Sequence, residues 1–247
     1  AHVQLILKDP AKDFCKPFSL KEFWTLGVMG FLTSEGALWR KQRKIVSPEF
    51  TPQRIEDYVS EMTQTTKELL DVWSRPVANG KSTLDVSHEM MKLTLAIVCK
   101  SLFGDTLHDE AHTVGRAVSE VWEYSTHRAL SFFKLPGFIP MPARQRIKKS
   151  LAELDKVVYA IIDQNKKGSL AQVNLLSRLL SARDPETGES ISDKQLRDEI
   201  VTFIVAGHET TSSALSWALW LVAQNPAVAE RIKSEIRQTL NGRMPTM

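Results

Sequence analysis

Cysteine is scarce in this sequence: Cys15 and Cys99 are the only two, far apart and in no metal-ligand spacing. That excludes a disulfide-built scaffold and a zinc site, and it favours a reducing compartment. A dominant charge is missing as well. With 32 basic and 29 acidic residues the formal net charge is +3, too balanced for a nucleic-acid footprint. Long apolar runs are also absent. The best candidate span, residues 200–223, carries His208, Glu209 and several hydroxyl residues at its centre. A charged centre is costly in lipid, so this run predicts a buried core helix instead. No internal repeat, low-complexity tract, linker or signal peptide is visible. The expectation is one domain over residues 1–247. Both ends read as cuts, because the chain opens on Ala1 and stops in Asn241-Gly242-Arg243-Met244-Pro245 without a closing element.

What is present is mainly helical periodicity. Residues 2–8 read as an amphipathic helix. In 51–75, Ile55, Val59, Met62, Leu69 and Trp73 fall on one face, with Pro52 in the first turn. A short extended stretch at 82–86 precedes a helix that Ser87 can cap and that is apolar almost all round. Further helices are expected over 109–130, 143–166 and 173–181, with a Phe- and Pro-rich break at 132–142 and a turn at 184–188. Ser192 and Gln195 make a capping box for a helix running to about residue 225. At 1.5 Å per residue it spans ~48 Å and must cross the whole molecule.

Two segments stand out chemically. Ala206-Gly207-His208-Glu209-Thr210-Thr211 places polar groups in the middle of that long helix, where buried polarity needs partners. Thr210 lies four residues after Ala206, so its hydroxyl can bond the Ala206 carbonyl and weaken the ladder. Gly207 lets something large approach the backbone. A simple helix kink with a satisfied threonine is the alternative. A zinc H-E-x-x-H motif fails, because Ser212 stands where the second His belongs. The other segment is the basic helix start around Arg40, Lys41, Arg43 and Lys44. Trp39 and Arg43 are four apart there and form a donor pair suited to a carboxylate. Its alternative is a solvated basic face.

Taken together these segments resemble the cytochrome P450 superfamily. Ala206 to Thr211 is similar to that family's oxygen-activating motif, and Trp39-x-x-x-Arg43 to its haem-propionate motif. Gly30-Phe31-Leu32-Thr33-Ser34 and Asn225-Pro226 fit the family's order, and the resemblance covers the whole chain. Its closest flavour is that of the fatty-acid and other lipid hydroxylases. The resemblance implies a mainly α, incomplete P450 fold with one long central helix and only a minor β component. It implies a haem monooxygenase that inserts one oxygen atom from O2 into an apolar small molecule. Electrons would come from NAD(P)H through a flavoprotein or ferredoxin, with the protein in the cytoplasm or on the cytoplasmic face of a membrane.

By the same resemblance, Glu209 and Thr210 are catalytic, organising protons or water. Ala206 and Gly207 line the oxygen groove, Trp39 and Arg43 hold a haem propionate, and Phe31, Leu32, Phe203 and Ala206 wall the substrate site. Residues 132–142 fall in the family's entrance lid, and Arg40, Lys41 and Lys44 face an acidic electron donor. The family's N-terminal sheet, Glu-x-x-Arg motif and cysteine loop are not found. Neither Cys15 nor Cys99 has glycine-rich surroundings, so no metal ligand is expected and this chain alone is expected to be inactive. The competing function is a non-catalytic helical module that binds a lipid or a protein partner without haem.

Overall fold

The computed structural model describes residues 3–4, 14–16, 28–78, 83–104, 111–130, 142–167 and 174–246. The breaks at 132–141 and most of 2–8 lie outside the described residues. The described helices are α1 (Gly36–Val46), a 3-10 turn (Ser47–Phe50), α2 (Pro52–Ala78), α3 (Val86–Phe103) and α4 (Ala111–Leu130). They continue with α5 (Pro142–Lys166), α6 (Leu175–Ser181), α7 (Asp193–Gln224) and α8 (Pro226–Leu240). The β component among the described residues is one isolated antiparallel bridge, Arg183 to Ser190. It closes the expected turn, where the Asp184 carboxylate accepts from the Glu186 amide at 2.8 Å and Gly188 takes φ +69°.

Local signals explain most boundaries, with three corrections. Asp85, not Ser87, caps α3, its carboxylate accepting from the His88 amide at 3.1 Å. An aspartate two residues earlier starts the helix sooner and satisfies the His88 amide, so Ser87 falls inside the helix. Residues 83–85 form no strand. At α7 only half of the capping box forms. Ser192 accepts from the Gln195 amide at 3.2 Å, but the Gln195 side chain reaches forward to Glu199 instead. A complete box appears at α6, between Asn174 and Ser177.

The core is built around α7 and α3, which pack against each other, with α4 laid on α5 beside them. Leu154, Ile162, Leu176, Leu196, Ile200 and Ile204 are wholly buried at this junction. Burial fails in two places where the pattern predicts it. On α2, Ile55 and Met62 remain exposed although they share the apolar face. On α7, burial stops after Ser212. The helix stays α-helical throughout 193–224, so Gly207 and the threonines leave the ladder unbroken.

Candidate haem-facing and proton-handling site

The site is anchored by charged residues within the buried half of α7. Arg197, Asp198 and Glu199 are each at most 5% exposed. Arg197 donates to Asp155 of α5 and to Asp198, each at 2.6 Å, while Lys194 holds the second Asp198 oxygen at 2.8 Å. Pairing of this kind is what makes buried charge tolerable. Glu199 accepts from the Phe31 amide at 2.8 Å and from Gln195. Burial pushes its carboxyl up to about 7, opposed by those two hydrogen bonds.

That hydrogen bond fixes the turn before α1 on α7. A Cβ on Gly30 would fall 2.1 Å from the Thr202 hydroxyl and 2.4 Å from the Asp198 carbonyl. Only glycine permits this approach. Next to it Phe31 stacks on Trp39, with ring centroids 5.8 Å apart and planes 22° from parallel. The Arg43 guanidinium lies 5.5 Å from the Phe31 centroid, a cation–π distance. Sequence reasoning assigns Phe31 to a substrate wall; the structure places it between the two donor residues. Leu32 sits half-buried in the same turn. The charged triplet at 197–199 and the tightly packed Gly30 escaped that reasoning. An ionic run inside an apolar helix was the available signal.

Further along α7, the Thr210 hydroxyl donates to the Ala206 carbonyl at 2.6 Å, as the spacing predicts. Ala206 and Thr210 are both exposed on one face, which also carries half-buried Phe203. Phe203 meets Phe50, from the 3-10 turn after α1, at 5.5 Å between centroids. The open face of α7 and the end of the basic helix therefore adjoin. Gly207 points elsewhere. A Cβ there would meet Val98 of α3 at 2.8 Å, so the large group that approaches its backbone in this structure is a valine. His208 is buried, its Nδ1 has no hydrogen-bond partner, and desolvation lowers its pKa against the opposing pull of Glu209. The His208 carbonyl accepts from Thr94 of α3 at 3.1 Å. Glu209 is half-buried and faces a groove between α3 and α4.

The basic patch is partly neutralised within the molecule. Lys41 is hydrogen-bonded to Glu189 and Lys44 is paired with Glu186, both on the 184–190 turn. Both pairs lie at the surface, and Arg40 beside them is exposed. Of the two thiols, Cys99 is buried in α3 and burial pushes it up to about 12, which keeps it inert. Cys15 is exposed. No cluster of metal-ligating side chains occurs among the described residues. No described helix is long and apolar enough to cross a membrane.

Trp39 and Arg43 are four residues apart on one face of α1, and both lie against the Phe31 ring. The family model described as cytochrome P450 matches residues 2–247. The chain is 32% identical to cyclooctatin synthase of Streptomyces melanosporofaciens, over 96% of this chain and 49% of that protein. It is 30% identical to a bifunctional cytochrome P450/NADPH–P450 reductase of Bacillus cereus, over 88% of this chain and 21% of that one. Among solved structures, the cytochrome P450DA heme domain superposes with a TM-score of 0.79 at 27% identity, covering 93% of this chain and 50% of its own. The chain spans about half the length, or less, of these relatives. With the family model matched over nearly the whole chain and the fold shared with a solved heme domain, the chain belongs to the cytochrome P450 family.

Proposed function

We propose that these residues are one part of a single monooxygenase domain whose whole protein inserts one atom of O2 into an apolar organic molecule. The observation that carries this reading is the junction of Trp39 and Arg43, through Phe31, with α7, whose open face bears Ala206 and Thr210. Bound haem supplies the oxygen activation and the two-electron chemistry. Trp39 Nε1 and the Arg43 guanidinium hold a propionate, an arrangement in which charge-assisted hydrogen bonds are strongest. Ala206, one turn before Thr210, leaves room on the open face because its side chain ends at Cβ. The Thr210 hydroxyl donates a hydrogen bond to the Ala206 carbonyl and keeps its oxygen lone pairs free to accept from water or from an incoming proton donor. Glu209, its sequence neighbour on the groove side of the helix, is the second residue that organises protons or water. Phe203 and Ala206, with Leu32 at the edge, wall an apolar substrate.

NADPH delivered through a reductase fits the relatives whose own names join a P450 to such a reductase. A lipid-like substrate fits the apolar wall. The reading also places the protein in the cytoplasm or on the cytoplasmic face of a membrane.

Carbon monoxide difference spectroscopy on the full-length parent tests the assignment. A thiolate-type red-shifted Soret band is expected, and its absence in a folded, haem-loaded protein overturns it. Thr210→Ala should divert reducing equivalents from product to peroxide. Unchanged coupling would remove Thr210 from the mechanism while leaving the haem assignment intact.

A further inference from the structure

Between α2, α3 and the cap of α6 lies a cavity of about 170 Å³, none of whose described walls belongs to α7. Asp57, Tyr58 and Glu61 line it from α2, Lys100 and Ser101 from α3, and Asn174 from the cap. Three polar atoms of this lining are shut off from solvent: Tyr58 Oη, Ser101 Oγ and Asn174 Nδ2. None of them has a hydrogen-bond partner among the described residues. Asn174 is only 4% exposed, and its Oδ1 already accepts from the Ser177 amide at 2.8 Å. A buried polar group without a partner is costly, so three around one space call for an occupant that supplies the missing bonds.

The lining restricts what that occupant is. A lone anion would meet the carboxylates of Asp57 and Glu61, and a lone cation would meet Lys100 and the Asn174 N–H groups. The other charges are already paired, Asp57 with Arg178 at 2.6 Å and Lys100 with Glu68 at 3.2 Å. A hydrocarbon would leave all three orphans without bonds. A hydroxyl both donates and accepts, so a neutral molecule with several suits carboxylate, amide and hydroxyl walls alike. At ~30 Å³ per water the space equals about five or six water positions, the size of a three-carbon triol. Water satisfies the same groups, but each molecule is immobilised separately, whereas one triol displaces several.

We propose that this cavity binds a small uncharged polyol of glycerol size, at a site separate from the haem-facing one. Asn174 Nδ2 and Lys100 donate to its oxygens, Asp57 and Glu61 accept from its hydroxyls, and Ser101 and Tyr58 do either. Burial pushes the Tyr58 phenol above its ordinary range, so it stays a neutral hydroxyl. The Asp57 side chain is 49% exposed, so the site opens to solvent on the α2 side.

Glycerol is the probe, added to the haem-loaded full-length protein and followed by saturation-transfer difference NMR. A saturable signal with a Kd on the order of 1 mM is expected. The alcohol n-propanol, with the same carbon chain and a single hydroxyl, should not displace it. Asn174→Asp keeps an oxygen to cap α6, since the two residues cap about equally well, but it turns the inward donor into an acceptor. It should weaken binding by about tenfold or more. Ser101→Leu fills the space and should abolish the signal. Undiminished binding in a folded variant marks an adventitious additive only and overturns the proposal. So does displacement by n-propanol, and so does the lack of a saturable signal at about a hundredfold excess over the expected Kd. None of these outcomes touches the thiolate-type Soret band, so the monooxygenase reading stands or falls separately.

Discussion

Residues 196–205 of α7 are buried on nearly every side, while later in the same helix Leu215, Trp217, Trp220 and Leu221 stand between 37% and 64% exposed. Charge is distributed the other way round. The covered half holds Arg197, Asp198 and Glu199, and the bare half holds tryptophans and leucines. On α8, Val228, Ile232 and Ile236 repeat the exposed pattern at four-residue intervals. Burial is therefore not read from hydrophobicity alone. Ionic residues go inside where a partner of opposite sign waits, as Asp155 does for Arg197, and apolar ones stay outside where no described element lies over them.

Substitutions can break this contrast. The largest effect is expected from Arg197→Ala, which strands Asp198 in the interior with only Lys194 beside it; a loss of ~3–5 kcal/mol in denaturant unfolding is the figure for an orphaned buried pair. A loss below about 1 kcal/mol would mean that the network is ornamental. Next comes the pH dependence set by Glu199. Its folded pKa of about 7 lies above the ordinary value of 4.5, so the native state keeps the proton longer. Its stabilising contribution is complete below about pH 4.5 and is lost as pH rises to about 7, a swing of up to about 3 kcal/mol. Glu199→Gln should flatten the melting temperature against pH across that window. The same slope in the variant would assign the titration to another group.

Gly207→Ala is expected to cost about 1 kcal/mol. Helix propensity gains roughly 1 kcal/mol, but the added Cβ overpacks Val98, which costs ~1–3 kcal/mol. Val98→Ala in the same background should return most of the loss, because the two sites share one contact. Additive losses would show that the clash relaxes by another route. The smallest effect belongs to the bare half. Trp217→Ser with Trp220→Ser should shift the stability of this 247-residue chain by under about 0.5 kcal/mol. A larger loss would place an unseen cover over that strip.

Much of the helical order was legible because periodicity is local. Most described helices fall within two residues of the expected ranges, and the Thr210-to-Ala206 bond follows from a spacing of four. The donor pair was legible for the same reason, since Trp39 and Arg43 share a face of one helix. Residues whose partners are distant in sequence were not. The Phe31 amide meets Glu199, 168 positions away, a contact that no local pattern contains. Lys41 and Lys44 looked free until the turn carrying Glu186 and Glu189 came alongside. The packing of Gly207 against Val98 of α3 is likewise absent from any local pattern.

By itself the sequence determined which segments are helical, where the long helix begins and which residue types its centre carries, because these depend on neighbours within one or two turns. The tertiary structure alone decided which face of α7 is covered. It also turned Glu209 toward the α4 groove and Thr210 toward the open side, and it gave the buried charges their partners. Those outcomes depend on which elements meet across the chain, and a helix's own pattern does not contain the shape or charge of what packs against it.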